Sequence, residues 1–183
     1  MSVSAAPAIT TWKIDASHTH AEFAVRHLMI STVKGRFGDV RGVVQIDETD
    51  ISRSSVDVAI GVASIDTREP QRDAHLRSSD FFDADHFPEI AFKSTHVGGA
   101  GDRFSVTGDL TIRGTTRPVV LDVTAEGRGK DPWGGQRAGF SATGKIKRSE
   151  FGLTWNQLLE TGGVAVGDDV KISLDVELVK QNG

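Results

Sequence analysis

The chain has six histidines, twenty-five acidic residues and no cysteine, so any metal or acid–base chemistry has to come from imidazole and carboxylate. Disulfides, thiolate metal sites and a cysteine nucleophile are excluded. His18, His20 and Glu22 alternate along one extended segment, and alternate residues on a strand face can converge on one ion. They occupy the polar face, however, where a solvated edge is the preferred reading, and no metal site is assigned. Asp73 and His75 in RDAHL lie two apart on an expected helix and do not face each other, which removes the simplest acid–base pair. A structural role is expected for them, with Arg72 or Asp73 tying the helix to the end of the main body. Serines are plentiful, but no GxSxG elbow or comparable motif places one as a nucleophile. No catalytic residue is assigned. His27 differs from the others because it falls on an apolar face with Phe23 and Val25. It is either a hydrogen-bonded core histidine or a polar group set in an apolar cavity for a ligand.

The elements that must position these residues are almost all strands. Apolar residues alternate with polar ones over Trp12–Asp15, His20–Met29, Lys34–Asp47, Ser55–Ile65, Glu89–His96, Phe104–Ile112, Val119–Glu126, Ala138–Lys147 and Val170–Leu178. Glycines 35, 38 and 42 are expected to mark bends or bulges. One long insertion, Ser64–Ser94, breaks the rhythm. It opens on Asp66-Thr67-Arg68-Glu69 with Pro70 in a first helical turn, which predicts a short helix around residues 68–79. That helix has only Ala74 and Leu76 as apolar residues, so it should lie as a cover rather than form core. Phe81, Phe82 and Phe87 follow and must pack on the edge of the body. A second short helix is expected near residues 154–160, carrying Trp155, Leu158 and Leu159.

About eight strands with one apolar and one wet face, joined mostly by short turns, point to an antiparallel sheet with sequential neighbours paired. An up-and-down barrel fits better than a sandwich, which needs several long crossings. The expected domain spans residues 11–180, with a flexible segment over residues 1–10. Gly108, Ala125, Ala138, Ala142 and Gly144 make the inward face partly small, leaving room for one apolar ligand. The competing reading is that large neighbours fill those positions. The net charge of −4 and the absence of a basic, aromatic patch argue against a nucleic-acid partner. No stretch is long and apolar enough for a membrane span. MSVSAAPAITTW has neither a basic start nor a signal-like apolar run, so a cytoplasmic location is expected.

SIDT (64–67), RDAHL (72–76), FFDADHFPEIAFKST (81–95), GDLTIRGTTRPV (108–119) and RSEFGL (148–153), with RHLMISTVKGRFGDVRG (26–42) ahead of them, resemble the YceI-like family of lipocalin-like, polyisoprenoid-binding proteins. The resemblance covers about Thr11 to Lys180. It implies an extended lipocalin-like antiparallel barrel whose apolar channel takes a long-chain isoprenoid or similar lipid, usually in a homodimer. It carries over no agreed catalytic residues, and no cofactor and no metal are assigned.

The channel lining is then expected from Phe23, Val25, His27, Phe37, Ile60, Val62, Phe92, Phe104, Leu121, Phe140, Ile172 and Leu174, with Phe82 and Trp155 at the covers. Arg26, Lys34, Arg36, Arg72 and Arg77 lie in segments near the barrel ends and could supply a cationic mouth for a phosphate-bearing chain. Two other functions stay open: a hydrolase acting on a lipid ester or amide, with a base from His27 or the His75 region, and a packed barrel acting only through its surface.

Overall fold

Period-two alternation produces strands long enough to close on themselves. The computed structural model describes residues 8–182. Its strands are β1 (Ile9–Ile14), β2 (His20–His27), β3 (Ser31–Phe37), β4 (Val40–Asp47), β5 (Ser55–Gly61), β6 (Ile65–Asp66), β7 (Glu89–Ala100), β8 (Arg103–Ile112), β9 (Thr115–Lys130), β10 (Gln136–Lys147) and β11 (Val166–Lys180), with one helix, α1 (Pro70–Arg77). The expected strands Lys34–Asp47 and Ser55–Ile65 are each broken once, by Gly38-Asp39 and by a 3-10 turn at Val62–Ser64, and a 3-10 turn at Ala16–His18 makes a third such pair of β1 and β2. Counting each broken pair as one strand leaves eight, all antiparallel to their sequence neighbours and closed from last to first.

Closure depends on β11, the partner of both halves of the first strand. Lys171–Asp175 faces His20–Ala24 of β2, while Leu178, Val179 and Lys180 face Ile14, Lys13 and Trp12 of β1. On its other edge β11 runs beside β10 from Asp169 to Val179. The corner between β1 and β2 is fixed by Arg137, whose Nη1 donates to Asp15 Oδ2 and Glu177 Oε1, each at 2.7 Å, and whose Nε donates to Asp131 at 3.0 Å. Asp15, His18 and Glu177 are close enough together to suggest a cation site, but the guanidinium already occupies that position as the counter-charge.

Strand β1 reaches back to Ile9, so residues 9 and 10 belong to the barrel rather than to a flexible segment. Residues 1–7 of that expected segment lie outside the described residues. Helix α1 matches its expectation and buries only Asp73 fully. Asp73 Oδ1 accepts from Thr67 N at 2.9 Å and from Thr67 Oγ1, while Arg72 donates to Thr67 Oγ1 and to its carbonyl, at 2.8 and 2.7 Å. The cover is therefore tied to the chain just before it. Phe81 is buried, and its carbonyl accepts from Arg113 Nη1 at 2.9 Å.

The second helix does not form. Residues 153–165 are an irregular flap in which Leu158 bridges Val164. A helix needs the carbonyls of Leu153 and Trp155 for its own i+4 amides; here Arg148 Nη1 takes both, at 2.7 and 2.9 Å. Asn156 then pairs with the backbone of Val166 through both ends of its amide, which pins the flap to the start of β11.

Hydrogen bonds from Ser17, His18 and Arg137 hold the Asp15 carboxyl well below its ordinary range, and Arg137 depresses Asp131 likewise. Groups whose folded pKa is depressed stabilise above their unfolded pKa and lose that contribution as pH falls through the folded value. Arg137→Met should therefore lower Tm at pH 7 by several degrees and by less at pH 2–3, as followed by circular dichroism. An equal loss at both pH values would show that the seam depends on packing alone.

Candidate ligand-binding channel

Inward positions of the closed sheet line a cavity of about 810 Å³ that runs along the barrel. Strands of about a dozen residues at a tilt near 40° give a barrel roughly 30 Å tall. Every expected lining residue borders the cavity except Val62, which is buried in the 3-10 turn between β5 and β6. Alternation predicts a strand through Val62, and the turn at this point takes it out of the inward register. Val44, Val58, Leu110, Val123 and Val176, which alternation puts on the same apolar faces, border it as well.

Whether small inward residues leave room depends on the position. Ala125 and Ala142 border the cavity. At Gly35 and Gly108 an added methyl would collide with the rings of Phe23 and Phe92, and at Gly144 it would lie 2.8 Å from Leu121 Cδ2. These glycines are filled by the aromatic and leucine side chains of neighbouring strands, which flatten against the wall. Gly42 likewise abuts the backbone of β5. Of the glycines expected at bends, only Gly38 falls in a break between strands.

The two ends differ. At one end Arg128 lies 5.2 Å from the centroid of the Trp12 ring and pairs through both Nη atoms with Glu48, at 3.0 and 3.2 Å. That charge is neutralised. At the other end α1 and the flap meet over an aromatic cluster: Phe37 packs edge-on to Phe82, with centroids 5.8 Å apart, and His75 sits between Phe81 and Trp155 at 5.1 and 4.7 Å. His75 Nε2 also contacts Asp80 at 2.9 Å. His27 lies on the rim of this end, exposed rather than in the core.

No local sequence signal marks Arg148 as part of the site. It is buried and borders the cavity, and all its hydrogen bonds go to carbonyls: Leu153, Trp155, Gly167 and Val166. Burial pulls its pKa down, and the charge of Asp168 partly opposes this. Of the cations expected at a mouth, Arg26 and Arg72 border the cavity, whereas Lys34, Arg36 and Arg77 do not. Among the described residues, no carboxylate lies within ion-pair distance of Arg26, Arg72 or Arg148.

The sequence matches the YceI-like domain over residues 12–178. The chain belongs to that family. Protein YceI of Salmonella newport is 41% identical over 172 residues, covering 93% of this chain and 87% of its own. A UPF0312 protein of Serratia proteamaculans is 42% identical over 171 residues, covering 92% and 86%. Among solved structures, BcnA of Burkholderia cenocepacia superposes with a TM-score of 0.78 at 25% identity, covering 90% of this chain and 98% of BcnA. A domain from Saccharophagus degradans described as polyisoprenoid-binding shares the fold at a TM-score of 0.65 and 14% identity, covering 94% and 99%. The lipocalin-like barrel of this YceI-like chain is thus the architecture of its family.

Arg148 holds the flap shut over one end of the channel. Replacing it by methionine takes the side-chain donor from the buried or half-buried carbonyls of Leu153, Trp155 and Gly167, while Val166 O keeps Asn156 Nδ2, at a cost of about 2–4 kcal/mol. Arg148→Met should lower stability by that amount in urea and raise amide exchange in residues 153–165 selectively. Unchanged exchange in the flap would show that Asn156 alone holds it.

Proposed function

We propose that the protein binds and carries, or sequesters, a long apolar chain of the polyisoprenoid class within the barrel. The observation that supports this reading most is the continuity of the apolar wall, from Ile46 and Phe104 near one end to Phe23, Phe82 and Trp155 at the other. Such a wall recognises length and apolarity. Each buried methylene contributes roughly 0.8 kcal/mol, so a chain gains affinity with few polar contacts, less the entropy of ordering it. The polyisoprenoid-binding description of the Saccharophagus degradans neighbour agrees with this class of ligand.

A lipid hydrolase finds less support. Among the described residues Ser54 is the one serine that borders the cavity, and its Oγ accepts from Asp47 N at the end of β4, while His27 and His75 stand at the opposite end. A nucleophile and its base need hydrogen-bond reach of each other.

The channel is also electrically polar along its length. Arg128 is paired at the Trp12 end, whereas Arg72 and Arg148 carry charge without a carboxylate partner at the helical end. An anionic head group would accordingly rest at the helical end. A prenyl diphosphate should bind more tightly than the matching alcohol at low salt, and the difference should shrink as salt rises. Equal affinities at every ionic strength would remove the head-group part of the reading.

Ala142 tests the channel itself. Ala142→Phe projects a ring into the cavity and should abolish uptake of a fluorescent prenyl or long-chain fatty acid probe, with Tm kept within a few degrees. Gly108→Leu, by contrast, meets Phe92 and the carbonyl of Lys93 and should cost about 1–3 kcal/mol by overpacking. A wild type that never takes up the probe, together with a destabilised Ala142→Phe, would mean that the interior is simply core.

A further inference from the structure

The turn joining β2 to β3 has an apolar sequence in a backbone shape that does not favour one. Leu28 and Met29 both have positive φ, 52° and 60°, and Ile30 N donates to His27 O at 3.1 Å. This is the type I′ geometry, in which Asn-Gly is the ordinary choice because a branched or long side chain is strained at φ > 0. Yet the residues are Leu, Met and Ile, and they are turned to solvent: Met29 is 60% and Ile30 78% exposed. An observed strain at an exposed site is a reason to look for a function there.

The turn does not stand alone. Leu28 N donates to Ala165 O at 2.8 Å, and Met29 lies so close over Gly163 that a methyl there would collide with its sulfur. The flap that receives them carries Leu158, 83% exposed, bridged to Val164. Four of the large apolar side chains exposed among the described residues thus gather on two adjoining segments at one end of the barrel. Leu28 borders the channel as well, so the outer patch and the inner wall are one apolar surface. Arg26 braces the tip, its guanidinium donating to Met29 O at 3.1 Å and Thr32 Oγ1 at 3.3 Å. By contrast Trp133, another highly exposed large apolar residue, lies on the β9–β10 turn at the opposite end and does not border the channel.

We propose that this lip, made by Leu28, Met29, Ile30 and Leu158, docks on a lipid bilayer surface, with Arg26 facing anionic head groups. The proposal rests on the carrier reading above. An apolar chain that moves between a bilayer and the channel meets a continuous apolar path there, and a few exposed aliphatic residues beside a cation suit a shallow, reversible membrane contact.

The experiment is co-flotation of the full chain with vesicles of mixed phosphatidylcholine and phosphatidylglycerol, comparing wild type with Met29→Gly/Ile30→Thr and with Leu158→Ser. None of these three positions borders the channel. Glycine relieves the strain at position 29, so the double variant should fold with an unchanged or higher Tm. The lip predicts that vesicle binding and transfer of a prenyl probe out of vesicles fall about tenfold in the double variant, and less in Leu158→Ser. Uptake of the same probe from detergent should stay at the wild-type level, and Trp133→Ser should float like wild type. Three results would overturn the proposal: flotation unaffected by the lip substitutions, flotation lost in Trp133→Ser, or a dimeric wild type that becomes monomeric in the lip variants, which would make the lip an interface between copies. Failure of the detergent uptake in wild type would instead count against the carrier reading, whatever the vesicles show.

Discussion

Closing the sheet through β11 is the constraint on which everything else depends. One continuous strand must pair with a first strand that is bent in the middle, so its two halves find β2 and β1 in turn. The bend needs a fixed corner, and Arg137 supplies it by drawing Asp15, Asp131 and Glu177 onto one guanidinium. Closure satisfies the edges of both strands without a partner chain. It also encloses an interior whose width is set by strand number and tilt rather than by the side chains that happen to fill it.

An interior fixed in this way need not be packed to crystal density. Phe23, Phe92 and Leu121 flatten over Gly35, Gly108 and Gly144, which thins the wall and leaves the axis clear. The unfilled length forfeits dispersion contacts that a close-packed core would make. A chain that occupies it restores those contacts and stabilises the folded state by linkage. Binding and stability are therefore coupled in this architecture, and the covers at the helical end, α1 and the flap, belong to both.

The sequence showed the strands, the antiparallel order and α1 because each rests on a local signal: alternation, or a cap followed by Pro70. Nearly all the expected channel residues border the cavity for the same reason, since an inward register once established carries along a strand. What failed was not local. Val62 left the register because a 3-10 turn interrupts β5, and nothing in VASID announces it. Leu153–Glu160 has helical spacing, but the carbonyls it would need are taken by Arg148, a residue whose burial depends on Gly167 and Val166, eighteen or more positions away. Alternation puts His27 on the inward face, in core or cavity, although β2 ends there and the exposed side chain stands at the rim.

Native mass spectrometry of protein purified from cells without detergent tests the central claim most directly, with the denatured mass as reference. The account predicts an added mass that is lost on collisional activation and extracts into organic solvent as one or a few long-chain lipids, and that is missing from Ala142→Phe. A wild type that carries no added mass, and gains none when offered prenyl chains of any length, would contradict it.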